Sequence, residues 1–146
     1  MKAALSSLAL FLVLVSRSLA QERQVLHGPG EVRGLPFSSA VRVGNMLYLS
    51  GPIGNVPGTR QLADTGIAGQ TRQALENIKA VLASAGSSLE HAVKCTVFLT
   101  DIKDYAAMNT VYATYFLKDP PARSTVAGSG LAFGARVEIE CLAVAG

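Results

Sequence analysis

The stretch IAGQTRQALENIKAVLASAGSSLEHAVKCTVFLT, residues 67–100, changes its hydrophobic period halfway along, and this change decides the fold. From Ile67 to Ala85, apolar and small residues recur at steps of three and four, which predicts one buried face of a helix. Gly86 suits the position just past the end of that helix. From Val93 to Leu99, every second residue belongs to one apolar row, which predicts a strand.

Shorter signals on either side of this stretch predict further strands. Residues 39–50, SAVRVGNMLYLS, alternate around Gly44-Asn45 and predict a β-hairpin. Residues 51–66 are rich in Gly and Pro, which predicts a loop, and a long loop in a small domain is often functional. Residues 122–127 and 137–144 have the extended pattern of two more strands.

A second helix is predicted between these strands. Asp101 and Asp104 offer capping oxygens at its start, its apolar stripe runs to about Phe116, and Pro120-Pro121 end it. The order is therefore β-β-loop-α-β-α-β-β. We expect a single α+β domain in which two helices cover one face of a mixed β-sheet.

The first 20 residues have the pattern of a secretory signal peptide. Lys2 precedes an apolar run at residues 8–15, and Ser18-Leu19-Ala20 forms a small-x-small cleavage site. We expect cleavage after Ala20, a mature domain of residues 21–146, and a periplasmic or secreted location without stable membrane association. The alternative is an uncleaved amphipathic or buried N-terminal helix.

The charge of the mature chain argues against a nucleic-acid partner. The full chain has 13 basic and 10 acidic residues, but removal of Lys2 and Arg17 leaves 11 and 10, with no basic cluster. The two cysteines, Cys95 and Cys141, both lie in apolar alternating runs. This favours small buried hydrophobic residues over a disulfide, although export would permit one.

The stretch PPARSTVAGSGLAFGARVEIE, residues 120–140, carries the candidate chemistry. Arg123 follows two prolines and could clamp a small carboxylate, whereas its position alone favours a structural ion pair or a surface cation. Glu138 and Glu140 share one face of the last strand, where such residues are usually solvated unless a partner covers them. The glycines between these residues predict a bend rather than a phosphate-binding loop.

No metal site is expected, because the two histidines, His27 and His91, are not at ligand spacing from the glutamates. On the second helix, Asn109 and Tyr112 could bond a ligand. The alternative is a solvated Asn109 and a Tyr112 in the core.

Taken together, these segments resemble the reactive intermediate deaminase (Rid/YjgF) family. GLPFSSAVRVGNMLYLSG is similar to its opening hairpin, the residues from Gln70 to Phe116 are similar to its helix-strand-helix centre, and PPARSTV followed by VEIECLAV is similar to its C-terminal signature. The resemblance implies a chorismate-mutase-like fold and a homotrimer with sites between subunits. It also implies hydrolysis of 2-imino or 2-enamino acids to 2-keto acids and ammonia without a cofactor.

The resemblance also implies roles for individual residues. Arg123 matches the residue that binds the substrate carboxylate, and Glu138 matches the acid that orients the attacking water. Thr125 matches a position whose backbone N–H holds the ligand, and polar positions at the cleft correspond to Asn109 and Ser50. Phe37 stands at a substrate-binding position where the family often has Tyr.

Two alternatives remain beside the deaminase. The chain departs from the family pattern at Phe37, Pro52 and Ala132. Phe37 and the export signal favour a non-catalytic trimer that binds small carboxylates or acts as a holdase. An endoribonuclease activity, ascribed to some relatives, finds no basic patch to support it.

Overall fold

A computed structural model describes residues 21–146; the predicted signal peptide and its cleavage site lie outside the described residues. A six-stranded mixed sheet with two α-helices on one face confirms the predicted α+β fold. The strands and helices are β1 (Arg23–Leu26), β2 (Ala40–Val43), β3 (Met46–Leu49), α1 (Ile67–Ser84), β4 (Ala92–Leu99), α2 (Tyr105–Tyr112), β5 (Ala122–Ala127) and β6 (Val137–Val144). Single 3₁₀ turns occupy Leu89–His91, Ile102–Asp104 and Ala132–Gly134.

The sheet brings the last strand into its centre. The strand order is β1-β2-β3-β6-β4-β5, and every neighbouring pair is antiparallel except β4 and β5. In β6, Val137, Ile139 and Cys141 are buried and alternate with the two glutamates. This confirms that Glu138 and Glu140 share one face, opposite the helices.

Helix α1 forms where its apolar stripe predicted it. Leu75, Ile78 and Leu82 are completely buried against the sheet, and each contributes about 1.5–3 kcal/mol through burial. The helix ends because Gly86 adopts a φ of 72°, while the N–H of Ser87 donates to the carbonyl of Leu82. Among residues 21–146, no helix is both long and apolar enough to cross a membrane.

A half-buried ion pair fixes the start of β6 against both helices. The Arg136 guanidinium donates to the Asp104 carboxylate at 2.8–3.0 Å, and the Arg136 backbone N–H donates to Gln70 Oε1 at 2.7 Å. Asp104 was predicted as a helix cap; it instead serves this pair, and only Asp101 caps, through the N–H of Lys103. Glu138 follows two residues after this anchor point.

Two boundaries differ from the prediction. Strand β1 was missed because three of its four residues are exposed at the sheet edge, and its sequence RQVL has no apolar alternation. Helix α2 stops at Tyr112 rather than near Phe116. The chain tightens there, since the N–H of Tyr115 donates to the carbonyl of Tyr112 three residues back.

The preference for free cysteines was wrong, because Cys95 and Cys141 form a disulfide. Antiparallel pairing of β4 with β6 places the two residues directly opposite each other, with Cα atoms 4.1 Å apart. Both are also buried in the core, as their alternating surroundings suggested. The distance between two cysteines that are far apart in sequence depends on strand register, which periodicity alone does not give.

Candidate functional site

The predicted site residues fall into two groups in different parts of the domain. Arg123, Thr125 and Asn109 lie on the helix side near the edge strand β5. Glu138, Ser50 and Phe37 line one cavity near the centre of the sheet. The first group contains buried polar atoms without a hydrogen-bond partner among the described residues. In the second group, the Ser50 hydroxyl already has one.

Strand β5 directs Arg123 towards helix α2. Arg123 pairs in register with Cys95, whose side chain lies in the core, so both side chains point to the helix face. The guanidinium carbon lies 4.6 Å from the ring centre of Tyr112 and 5.6 Å from that of Tyr105. Arg123 Nη2 donates to the Tyr105 hydroxyl at 3.1 Å. The two rings thus hold the cation through stacking and one hydrogen bond.

Three buried polar atoms near Arg123 have no hydrogen-bond partner in the part of the chain that the structure describes: Asn109 Oδ1, the Tyr112 hydroxyl and Thr125 Oγ1. Such atoms are uncommon, because an unpaired buried polar group destabilises the fold. Burial raises the pKa of Tyr112 to about 12 despite the opposing charge of Arg123, so its hydroxyl stays neutral. We call Arg123, Tyr105, Asn109, Tyr112 and Thr125 the arginine cluster.

Glu138 lies on the other face of the sheet. Its register partner on β4 is Phe98, which alternates with the buried Val97 and Leu99. A Cβ atom on Gly51 would lie 2.6 Å from Glu138 Oε1, so a larger residue at position 51 would displace this carboxylate. Burial and the negative charge of Glu140 raise the pKa of Glu138. Such a carboxylate accepts a proton more readily than a solvated one.

The cavity beside Glu138 has a volume of about 350 Å³. Ser50 and Phe37 both line it. The Ser50 hydroxyl is already used, because it donates to the carbonyl of Ser38 at 2.6 Å. Phe37 exposes 58% of its surface. We call this space, with its lining residues, the glutamate cavity.

Within one chain, the arginine cluster and Glu138 do not meet. Arg123 lies on the helix side of β5, Glu138 projects from the opposite face of β6, and β4 runs between the two strands. A small acid bound to Arg123 therefore cannot also contact Glu138 of the same chain. The resemblance joined the two residues in one site, whereas the single chain separates them by the thickness of the sheet.

The sequence reasoning missed several residues of both sites. Tyr105 was not considered for the site, and Tyr112 was named only as a possible ligand contact on the second helix. The two stand two helical turns apart, a spacing that places them on one face, but nothing local linked that face to Arg123. Phe133 also lines the glutamate cavity, and it was treated only as part of a bend. The described residues contain no group of three or more His, Cys, Asp or Glu side chains that could hold a metal ion.

Comparisons with known proteins agree on one family. Residues 33–145 match the Endoribonuclease L-PSP family. The 2-iminobutanoate/2-iminopropanoate deaminase of Mus musculus is 40% identical over 111 residues, which cover 76% of this chain and 82% of the mouse protein. Protein DfrA of Myxococcus xanthus is 42% identical over 125 residues, covering 84% of this chain and 95% of that protein. The crystal structure of the YjgF gene product from E. coli matches with a TM-score of 0.76 at 34% identity, covering 83% of this chain and 98% of that one.

Proposed function

The chain belongs to the Endoribonuclease L-PSP family, that is, the reactive intermediate deaminase (Rid/YjgF) family, and from this premise we propose that it hydrolyses 2-imino acids. The products are a 2-keto acid and ammonia. The proposal extends to the tautomeric 2-enamino acids, which give the same products. It assigns carboxylate binding to Arg123 and water activation to Glu138, without a cofactor.

The arginine cluster is the observation that carries this proposal. A guanidinium presents paired N–H donors that match the two oxygens of a carboxylate, and Arg123 has no carboxylate partner among the described residues. The neutral hydroxyls of Tyr112 and Thr125 and the amide oxygen of Asn109 are buried without a partner in the described part of the chain. A bound 2-imino acid would supply partners for these atoms. The Thr125 backbone N–H is assigned to the ligand through the family resemblance alone.

Glu138 suits the hydrolytic step. A protonated imine is already electrophilic at C2, so a carboxylate needs only to orient a water molecule and accept one of its protons. The water oxygen forms a bond to C2 while one of its protons passes to Glu138 and then to the nitrogen. The C–N bond then breaks, with its electron pair leaving on ammonia, as the remaining O–H proton is lost and the C=O bond of the keto acid forms. The raised pKa of Glu138 favours this proton transfer.

We propose that the complete site forms between copies of the chain in a homotrimer. The arginine cluster of one copy would face the glutamate cavity of its neighbour. The separation of Arg123 and Glu138 by the sheet supports this arrangement, because one copy cannot bring both to a small ligand. Sedimentation of the mature protein as a monomer would contradict it.

A binding protein without turnover is the second candidate function. Phe37 favours it, because this side chain exposes 58% of its surface and offers no hydroxyl to a ligand. Such a protein would keep the carboxylate clamp at Arg123 and lack the chemistry at Glu138. Measured rates, rather than affinity for keto acids, separate the two functions.

The test generates 2-iminopropanoate in situ from alanine with an amino-acid oxidase and follows pyruvate release. The mature protein should accelerate release above the rate in buffer, and Glu138→Gln should lower the rate about 100-fold or more. Glu90→Gln, which removes an exposed carboxylate, is the matched control and should keep the full rate. No acceleration by the unaltered protein would leave only the binding function.

We also propose that the protein is exported and works in a periplasmic or extracellular setting. The Cys95–Cys141 disulfide supports this location, because disulfides persist mainly in oxidising compartments. N-terminal sequencing of protein recovered outside the cytoplasm should begin at Gln21. An intact N-terminus at Met1 would contradict the proposed cleavage.

A further inference from the structure

We propose that the glutamate cavity receives the substrate's side chain, and that the preferred substrates are therefore 2-imino acids with bulky apolar side chains, such as isobutyl or benzyl. The inference rests on the proposed function for the carboxylate and imine ends of the substrate. It adds the identity of the third substituent on C2. Three observations support the preference for bulky apolar side chains: the size of the cavity, its exposed rings and the pairing of its polar groups.

The size of the cavity exceeds what a small imino acid needs. Its volume of about 350 Å³ equals that of about twelve molecules of liquid water and reaches the range of pockets that bind larger organic ligands. The methyl group of 2-iminopropanoate would leave most of this space without contacts. An isobutyl or benzyl group would fill more of it and remove more apolar surface from water.

The rim of the cavity is aromatic. Phe37 and Phe133 both line it, and they expose 58% and 49% of their surface. Exposed apolar rings beside a cavity often mark a binding surface for an apolar group. The rest of the apolar wall comes from both layers of the fold and includes Leu35, Leu49, Ile53, Ile78 and Val81.

Most polar groups in the cavity wall already have partners within the chain. The Asn77 amide donates to the carbonyls of Ile53 and Asn55, and the Thr59 hydroxyl donates to the carbonyl of Val56. Groups bonded in this way offer little to a polar ligand. By contrast, the Glu138 side chain makes no hydrogen bond to any residue between 21 and 146 and remains available for the reacting centre.

The second carboxylate of the cavity, Glu31, is also engaged. It accepts a hydrogen bond from the Ser39 hydroxyl at 3.0 Å and contacts His27 Nδ1 at 2.8 Å. These hydrogen bonds, first from His27 and then from Ser39, lower the pKa of Glu31. A cationic substrate side chain would have to compete with both partners, so the wall favours an apolar side chain over a basic one.

Phe133 is held in place as one side of the opening. Its backbone adopts a left-handed φ of 56° within the turn Ala132–Gly134, which the N–H of Ala135 closes by donating to the Ala132 carbonyl. The Arg60 guanidinium lies 5.7 Å from the ring centre. A left-handed phenylalanine is strained, yet the turn and the stacked cation keep its ring beside the cavity. We therefore assign Phe133 as a specificity-determining residue.

The test measures binding of a series of 2-keto acids to the mature protein by titration calorimetry. We expect 4-methyl-2-oxopentanoate and phenylpyruvate to bind at least about tenfold more tightly than pyruvate, because added carbon atoms enter an apolar pocket. Equal affinities, or tighter binding of pyruvate, would overturn the inference. This binding measurement does not depend on turnover.

The test variant is Phe133→Gly, which removes the ring and relieves the left-handed backbone, so folding should be preserved. It should weaken binding of 4-methyl-2-oxopentanoate at least fivefold more than binding of pyruvate. Leu117→Ala, at a residue that is 88% exposed and outside the cavity, is the control and should leave the affinity ratio unchanged. An unchanged ratio in Phe133→Gly would overturn the role of Phe133.

Turnover of the matching imines separates this inference from the proposed function. Preferred hydrolysis of the leucine-derived imine over the alanine-derived one supports both. Equal hydrolysis of the two imines contradicts the side-chain preference and leaves the deaminase function intact. Selective binding of the larger keto acids without hydrolysis of any imine supports the cavity assignment and contradicts the deaminase function.

Discussion

Arg136, at the start of β6, makes three hydrogen-bond contacts with the Asp104 carboxylate, whereas Arg123, on β5, donates one hydrogen bond to Tyr105 and stacks on Tyr112. Each guanidinium is held by residues at or near helix α2. Within residues 21–146, Arg136 has a counter-ion and Arg123 has none. The comparison supports the proposal that Arg123, held by aromatic rings and without a carboxylate partner among residues 21–146, binds a ligand, while the carboxylate-paired Arg136 anchors the fold.

The largest expected effect comes from Arg123→Ala. It should weaken binding of 2-keto acids and lower kcat/KM for 2-imino acids about 100- to 1000-fold, because losing one member of a charge pair costs about 3–4 kcal/mol. Thermal unfolding should change little, since no carboxylate among residues 21–146 loses its partner. The control Arg72→Ala removes an exposed arginine of α1 and should leave both affinity and rate intact. Unchanged affinity in Arg123→Ala would remove the distinction between the two arginines.

The reverse result, a loss of stability without a loss of activity, is expected at the Asp104–Arg136 ion pair, which we call the anchoring pair. Asp104 is 9% exposed, so Asp104→Asn should lower the free energy of unfolding by about 1–3 kcal/mol, a range reduced because the Arg136 side chain is 44% exposed. Denaturant titration at fixed protein concentration measures the change. Activity per folded molecule should stay within about twofold of the unaltered protein, because this pair touches no proposed ligand.

Asp119→Asn is the matched control for the anchoring pair. Asp119 is exposed and has a φ of 49°, a conformation that asparagine also tolerates, so its stability should not change. Equal loss in the two variants would show that the Asp104–Arg136 pair has no special role in stability.

A smaller, pH-dependent effect concerns Glu138. Burial, and then the charge of Glu140, raise its pKa above the ordinary 4.5, and water activation needs the ionised form. The value of kcat/KM should therefore fall as the pH drops through this raised pKa, about tenfold per unit once the pH is below it. Glu140→Gln removes one cause of the shift and should move the acid limb to lower pH. An acid limb that does not move in this variant would contradict the coupling.

The smallest effect is expected from Tyr112→Phe. The hydroxyl has no partner among the described residues, so its loss should leave stability unchanged or raise it by up to about 1 kcal/mol. Affinity for 2-keto acids should fall a few-fold if the hydroxyl bonds the ligand. Tyr115→Phe, which loses a 2.8 Å bond to Glu76, should instead lower stability slightly and leave affinity unchanged. Identical behaviour of the two variants would argue against a ligand at Tyr112.

The sequence predicted the elements whose hydrophobic period is strong. Helix α1 and strand β6 carry a complete apolar stripe, and their positions matched. The predictions missed strand β1, because it is an exposed edge strand, and misplaced the end of α2, because that helix ends through local turn geometry. The preference for free cysteines was wrong for a different reason. The disulfide depends on the register between β4 and β6, which tertiary pairing determines.

The site was less accessible to sequence reasoning than the fold. By spacing alone, Arg123 was better explained as a surface or structural cation, a description that fits Arg136 instead. The family resemblance pointed to Arg123 as the candidate for binding a carboxylate, which stays a prediction. Neither source indicated Tyr105 or Phe133, and Tyr112 was named as a possible ligand contact without a link to Arg123, because these contacts join distant segments. Nor did they show that one sheet separates Arg123 from Glu138.

The bond between Cys95 and Cys141 has a consequence for how the arginine cluster is held together. The two cysteines are 46 positions apart, so they close a covalent ring that contains α2, β5 and every residue of the arginine cluster. Closing a loop of this length restricts the unfolded chain by an amount worth about 4 kcal/mol. Ser50 and Phe37 of the glutamate cavity lie outside the ring. Glu138 and Phe133 of the same cavity lie inside it, so reduction should lower the free energy of unfolding of both halves of the site together.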